Sequence, residues 1–238
     1  MPTPSVSSSK TDPLIITIDG PAGAGKSTVA KLLARRLRLR YLDTGATYRA
    51  LAYEALSRRM DPSDEVRLVR VARRLNLVFI HEGWGRLRIL LNGRDVTRRI
   101  RTEAVTDAAA IVAQHPRVRA VLVRLQRRLI RSHRLVVEGR DTGTVVFPHA
   151  SYKFFLTAQA RVRARRRQME LQGVQGRSPS LSAIAGQLRT RDRLDRRRRV
   201  GPLLKPPGAI VLNTSSLRAP DVVKRLLRHL PAASSNSP

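Results

Sequence analysis

Residues 20–27 read Gly-Pro-Ala-Gly-Ala-Gly-Lys-Ser. They satisfy G-x-x-x-x-G-K-[ST] at every position, and nothing else in the chain restricts its fold as tightly. Glycines let successive backbone N–H groups curl around an anion, and such a loop works only when a strand feeds it and a helix leaves it. Both are present. Residues 14–19, LIITID, form a short apolar run that reads as a buried parallel strand. Residues 26–38 carry Val29, Leu32, Leu33 and Leu37 at helical spacing. The N-terminus of that helix adds partial positive charge. The candidate residues for a nucleoside triphosphate are therefore Gly20, Pro21, Ala22, Gly23, Ala24, Gly25, Lys26, Ser27 and Thr28. Lys26 can reach β- and γ-phosphates, and the Ser27 hydroxyl suits the shell of a Mg²⁺ ion.

The remaining pattern extends this opening into an α/β chain with a parallel sheet flanked by helices. Residues 41–43 read as a second strand, and 46–58 and 63–75 as helices. Strands are expected at 75–80 and 87–91, with turns at 83–85 and at Asn92-Gly93, then helices at 102–113 and 116–131. The hairpin character of 62–131 breaks the βα rhythm around it, so that block reads as an insertion forming a small subdomain. Core strands return at 135–138, 152–156 and 210–212. Two very basic helices, 160–172 and 181–198, flank residues 173–179, whose two glycines, serine and proline suit a mobile loop. A closing helix is expected at 220–230. The domain reading is a core at 13–61 and 132–230, a lid at about 160–198, and disordered tails at 1–12 and 231–238.

Composition excludes several classes. The chain has 238 residues, enough to bury a real core, and no cysteine, so disulfides and thiolate metal sites are ruled out. The first dozen residues lack the basic segment and apolar run of a signal peptide, and no apolar stretch approaches the roughly 20 residues of a membrane span. A soluble cytoplasmic protein without membrane contact is expected. The net charge is +30, and 41 of the 47 basic residues are arginine. Such a balance attracts polyanions: nucleotides, phosphate esters or nucleic acid.

A phosphate loop does not by itself choose a reaction. It suits a GTPase, a helicase or a small-molecule kinase. The base-reading N-K-x-D of a GTPase is absent, as is an apolar strand ending in Asp-Glu, so a kinase is favoured. Four further strings then coincide: Asp43-Thr44-Gly45-Ala46-Thr47-Tyr48-Arg49, residues 138–148 (EGRDTGTVVFP), Arg191-Asp192-x-x-Asp195-x-x-Arg198, and Val211-Leu212-Asn213-Thr214-Ser215. With the glycine loop, they resemble the bacterial cytidylate kinase family in order and spacing, over about residues 14–217.

The resemblance implies a P-loop NTPase-type fold with an inserted monophosphate-binding subdomain and a lid. It implies phosphoryl transfer from ATP, with Mg²⁺, to CMP or dCMP by a monomer. Arg49, Arg140 and Arg198 would hold the acceptor's phosphate, and Arg191 and Asp195 its ribose. Arg119 and Asp141 would read cytosine, and Asp43 and Thr44 would line the acceptor pocket. Arg163, Arg166 and Arg167 would start the lid over ATP. Lys26, Arg140 and Arg198 would act on the transferred group. Ala110 stands where the family usually has a base-reading serine, His149 where Asp usually follows F-P, and Asn213 replaces a usual Asp.

The residues themselves agree with that chemistry. Two polyphosphates repel, and clustered guanidiniums fork onto their oxygens and offset the repulsion. A monophosphate acceptor (second pKa roughly 6) needs no general base at neutral pH. The five histidines accordingly read as surface or packing residues. Other acceptors, UMP, AMP or shikimate, remain the nearest alternatives. An adenylate-type enzyme would show S-T-G-x-x-L-R where this chain has D-T-G-A-T-Y-R. A nucleic-acid binder is the alternative of another class, suggested by the arginine runs at 161–167 and 189–199. Those runs contain no aromatic residue on which bases could stack, so no specific nucleic-acid partner is expected.

Overall fold

The computed structural model describes residues 14–83, 86–129, 134–175 and 179–231. The strand β1 (Leu14–Asp19) leads into the glycine loop and α1 (Lys26–Arg36). There follow β2 (Arg40–Asp43), α2 (Thr44–Ser57), α3 (Glu65–Arg73), β3 (Leu77–His81), β4 (Leu87–Leu91) and β5 (Arg94–Asp95). A single 3₁₀ turn at Arg99–Arg101 precedes α4 (Glu103–Val112) and α5 (Pro116–Arg128). Then come β6 (Arg134–Glu138), one wide helical turn at Thr142–Val146, and β7 (Tyr152–Thr157). The chain continues through α6 (Ala160–Gln175), α7 (Leu181–Arg197), β8 (Ile210–Asn213) and α8 (Ala219–Leu227).

Five strands make one sheet in the order β2-β6-β1-β7-β8, parallel throughout. This is the α/β architecture expected from the strand, loop and helix at the start of the chain. β1 and β6 are buried on both faces along most of their length, as strands covered on both sides must be. Ile16, Ile18, Val136 and Phe154 pack with Val29, Leu33 and Val222 from α1 and α8. A second apolar cluster joins α2 to α3, β3, β4, α4 and α5 through Leu51, Leu68, Ile89, Val112 and Leu122. A three-stranded antiparallel sheet, β3-β4-β5, belongs to that part of the chain. The central position of β1 puts the glycine loop at the carboxyl ends of the sheet, where open α/β sheets bind ligands. Gly20 marks the turn out of β1. Its φ is 144°, and any Cβ there would overlap the Leu156 carbonyl, so only glycine passes.

Several boundaries shift for identifiable reasons. α2 starts at Thr44 rather than 46 because Asp43 is its N-cap and accepts the Ala46 N–H at 3.1 Å. α3 starts at Glu65 rather than 63 because Asp64 is the cap, accepting from Arg67 N at 3.0 Å. Asp61 instead accepts from Ser63 N in the preceding turn. The largest departure is α6, which runs through Gly173 to Gln175 where a mobile loop was expected. No other part of the chain lies within 4 Å of where a Gly173 side chain would begin. A lone glycine costs a helix only about 1 kcal/mol, and Glu170, Leu171 and Gln172 before it favour continuation. Residues 176–178 of that expected loop lie outside the described residues, as do both expected tails except Pro231, part of the 83–85 turn and the last two residues of the expected 116–131 helix.

Candidate active site

One cavity of about 1030 Å³ opens where the glycine loop, the ends of β2 and β6, and α7 converge. That is the upper end of the range usual for ligand sites. Ala22, Gly23, Ala24, Gly25, Lys26, Ser27 and Thr28 line one side. Thr44, Arg49, Arg140, Asp141, Arg191, Asp195 and Arg198 line it too, with Arg166 and Arg167 from α6. Residues as far apart in the chain as Ala22 and Val222 are thus gathered at one place. Four expected members stand off the wall. Gly20 and Pro21 shape the loop from behind, Arg119 is buried beneath Asp141, and Arg163 is turned onto Ala22.

On the loop side, Lys26 is 5% exposed and its Nζ donates to Pro21 O at 2.7 Å. Burial pulls its pKa down to about 7, helped by Arg140 and Arg191 and resisted by Glu138 and Asp19. An incoming polyphosphate would supply the missing negative charge. Thr214, in the turn after β8, donates to Ala24 O at 3.1 Å, and Arg166 Nη1 donates to the Thr214 hydroxyl at 2.9 Å. The V-L-N-T-S string is therefore a brace for the glycine loop. Asp19 plays a similar part. Its carboxylate accepts from Thr142 N (2.9 Å), Thr142 Oγ1 (2.8 Å) and Gly143 N (2.8 Å). Both its oxygens are engaged in holding the wide turn after β6.

Glu138 had no assigned role in the sequence reading, yet it occupies the centre of the site. It ends β6, beside β1, and accepts the Ser27 hydroxyl at 2.8 Å and the Tyr41 hydroxyl. Burial raises its pKa, with Asp43 adding to the effect. Its signal in the sequence is the apolar strand L-V-V that ends in a carboxylate. Among the described residues no group of three or more His, Cys, Asp or Glu forms a metal cage. Ser27 Oγ with Glu138 beside it is nonetheless a hard oxygen donor set, suited to Mg²⁺ that keeps waters and shares nucleotide phosphates.

The opposite side is a lattice of arginines held by acids. Asp195, buried between them, pairs with Arg140 Nε at 2.8 Å and with Arg198. Burial pushes Asp195 up, but the two arginines outweigh it and hold it below the usual carboxylate range. Arg49 Nη2 pairs with Asp43 at 2.6 Å. Arg101, from the 3₁₀ turn, reaches the same carboxylate at 3.6 Å and also lines the cavity. It sits in a run of arginines that carries no local signal. Arg191 makes no ion pair among the described residues, and burial lowers it to about 10, with Arg140 next in effect. The field in the cavity is consequently positive and short of anions, which is a site for phosphate.

Asp141 also lines the cavity, as do Tyr48, Ala109, Ala110 and Ala113. Arg119, 1% exposed, pairs with it from behind and packs its guanidinium 5.5 Å from the Tyr48 ring centre. Burial raises Asp141 above its ordinary value despite Arg119. Gly201 closes over the pair so tightly that a Cβ would overlap both side chains. A cavity carboxylate fixed by a buried partner is a device for recognising a hydrogen-bond donor.

Comparison with known proteins agrees with this arrangement. The family profile described as Cytidylate kinase matches residues 16–232. A protein named Cytidylate kinase from Pectobacterium carotovorum subsp. carotovorum (strain PC1) is 43% identical over 215 residues, 90% of this chain and 95% of that one. Another of that name, from Pseudomonas entomophila (strain L48), is 45% identical over 217 residues, 91% and 95% of the two chains. A crystal structure of an uncharacterized protein from Eubacterium ventriosum ATCC 27560 shares the fold, with TM-score 0.50 and 10% identity, covering 92% of this chain and 99% of that one.

Proposed function

The chain belongs to the cytidylate kinase family, and on that premise we propose that it transfers the γ-phosphoryl group of ATP to CMP or dCMP, giving ADP and CDP or dCDP. The observation that carries the reading is a single cavity lined by the phosphate loop, an arginine cluster and Asp141. An acceptor phosphate oxygen forms the new P–O bond, and the bond from the γ-phosphorus to the β–γ bridging oxygen breaks. The loop's backbone and Lys26 bind the donor phosphates. Arg49, Arg140 and Arg198 hold the acceptor phosphate and neutralise charge spread over the equatorial oxygens. Arg191 and Asp195 hold the ribose, and Thr44 lines the acceptor pocket. Ser27 and Glu138 would hold Mg²⁺, which would further neutralise the phosphates when bound. Arg163, Arg166 and Arg167 belong to a lid over the donor, formed by α6 and α7, and residues 62–131 are the acceptor-binding insertion. No specific nucleic acid is involved, and the chain acts as a cytoplasmic monomer. No described helix is long and apolar enough to cross a membrane.

The base is read at Asp141. Cytosine offers an amino donor at N4 and acceptors at N3 and O2. A carboxylate beside N4 complements that edge; Arg119, which sequence reasoning placed against the base, is buried off the cavity wall and acts by fixing that carboxylate. Uracil presents O4, an acceptor, to the same carboxylate. A mismatched buried polar pair costs about 1–3 kcal/mol, so CMP is preferred over UMP by about fivefold or more. Ala110, also on the cavity wall, offers no hydroxyl to strengthen the choice. A coupled ADP-release assay across CMP, dCMP, UMP and AMP tests the reading. Asp141→Asn should lower the CMP/UMP ratio of kcat/KM, and Ala110→Ser should raise it. Equal use of CMP and UMP by the wild type, or a ratio untouched by Asp141→Asn, would remove Asp141 from this role.

A further inference from the structure

Asp192 stands in the R-D-x-x-D-x-x-R string but takes no part in the arginine lattice its neighbours build. Arg191, Asp195 and Arg198 line the cavity, whereas Asp192 is buried against the glycine loop, 6% exposed. Its Oδ2 pairs with Arg163 Nη1 at 2.5 Å, and its Oδ1 accepts from the Ala22 N–H at 3.4 Å. The same Arg163 Nη1 donates to Ala22 O at 3.1 Å. An ion pair spanning α6 and α7 therefore engages both backbone polar groups of one residue in the loop. Apolar contact repeats the junction, since Ala22 packs with Ala164, Leu171, Ile184 and Leu188. The helix α6 also comes so near that a Cβ on Gly23 would lie 2.9 Å from the Arg163 carbonyl oxygen.

We propose that Asp192 is a positioning residue for the donor nucleotide: through Arg163 it clasps the Ala22 peptide and sets the shape in which the glycine loop meets the triphosphate. The inference rests on the donor reading above and adds a residue to it, one that touches neither nucleotide. A phosphate loop binds through several N–H groups aimed at one point, and a small tilt of its first turn spoils the aim of the rest. Charge-assisted hydrogen bonds hold such a turn more firmly than neutral ones. A buried ion pair is weak evidence for stability, because desolvation offsets its attraction. Fixing the geometry of the loop accounts for the pair where stability does not. It also joins the donor side to α7, the helix that carries Arg191 and Asp195.

Calorimetric titration with a non-hydrolysable ATP analogue, without acceptor, tests the proposal alongside KM for each substrate. Asp192→Asn keeps the side-chain shape and removes its charge. The analogue should bind at least about tenfold more weakly and the KM for ATP rise by a similar factor, while the KM for CMP changes less than about threefold. In an Arg163→Gln background, Asp192→Asn should add less than about twofold, because its partner is gone. Parallel rises in both KM values, unchanged donor binding, or full additivity with Arg163→Gln would overturn the assignment. So would an Asp192→Asn protein that fails to fold while Arg163→Gln folds, since Asp192 would then be holding the fold. If the wild type binds the analogue but turns over no CMP, the acceptor reading falls and the titration still judges Asp192.

Discussion

Lys26→Met lowers kcat by about 10²–10³-fold or more while the melting temperature at pH 6 stays unchanged or rises. The loss of rate follows from removing a cation aimed at charge that develops during transfer, an interaction of several kcal/mol in a dry site. The stability half follows from burial. Burial, with Arg140 and Arg191 nearby, pulls the Lys26 pKa from 10.5 down to about 7. A lysine depressed in the folded state opposes folding most at pH values below its folded pKa, where both states carry the proton. That cost is relieved as pH rises from about 7 to 10.5, since only the unfolded chain then binds the proton. An apolar side chain of similar length removes the cost, so its relative gain is greatest below pH 7. Calorimetric melting at pH 6 and pH 9, beside a turnover assay, checks both halves. A variant that keeps more than about a tenth of the rate would contradict the role in transfer. A melting temperature that drops sharply at pH 6 would contradict the burial argument.

Arg119→Met costs about 3–5 kcal/mol at neutral pH, a fall of roughly 10 °C in melting temperature for a chain of this size. The guanidinium is 1% exposed and faces the Asp141 carboxylate, with a further donation of its Nη1 to Ala113 O at 3.5 Å. Removing it leaves a buried carboxylate without its partner. Burial already raises Asp141 above its unfolded value, and loss of Arg119 raises it further. A carboxyl raised in the folded state loses stability as pH climbs from the unfolded value through the folded one. The deficit of the variant is therefore small near pH 4 and full at neutral pH. Arg119→Met with Asp141→Leu should recover most of the stability, because no buried charge remains. The double variant should still fail to discriminate CMP from UMP. Urea unfolding at pH 4 and pH 7 checks the sign, and a deficit that is the same at both would show that Arg119 matters for packing alone.

Features that depend on a few neighbouring residues were legible in the sequence. The glycine string with an apolar run before it and an i, i+3, i+4 pattern after it sufficed for β1, the loop and α1, and so for the parallel α/β fold. Asp43 in D-T-G-A-T-Y-R is both the end of β2 and the cap of α2, and the residues of that motif could only lie at a strand-to-helix turn. Most other elements were legible for the same reason, since strand and helix periods and capping act within one or two turns. What failed locally was Gly173, where turn composition was outweighed by the helix formers before it.

Which of the many arginines matter, and what each one faces, follows from how the elements pack. The 41 arginines look alike in one dimension. Their separation into a cavity lattice, a buried partner for Asp141 and a clasp on Ala22 depends on the strand order β2-β6-β1-β7-β8 and on α7 crossing the glycine loop. Glu138 meets Ser27 from 111 positions away because β6 is the neighbour of β1. Asp192 meets Ala22 across 170 positions because α6 and α7 pack against the loop. Such pairings are set by how elements stack, and burial then turns equal charges into unequal ones: Lys26 is drawn down and Asp141 up by loss of water around them.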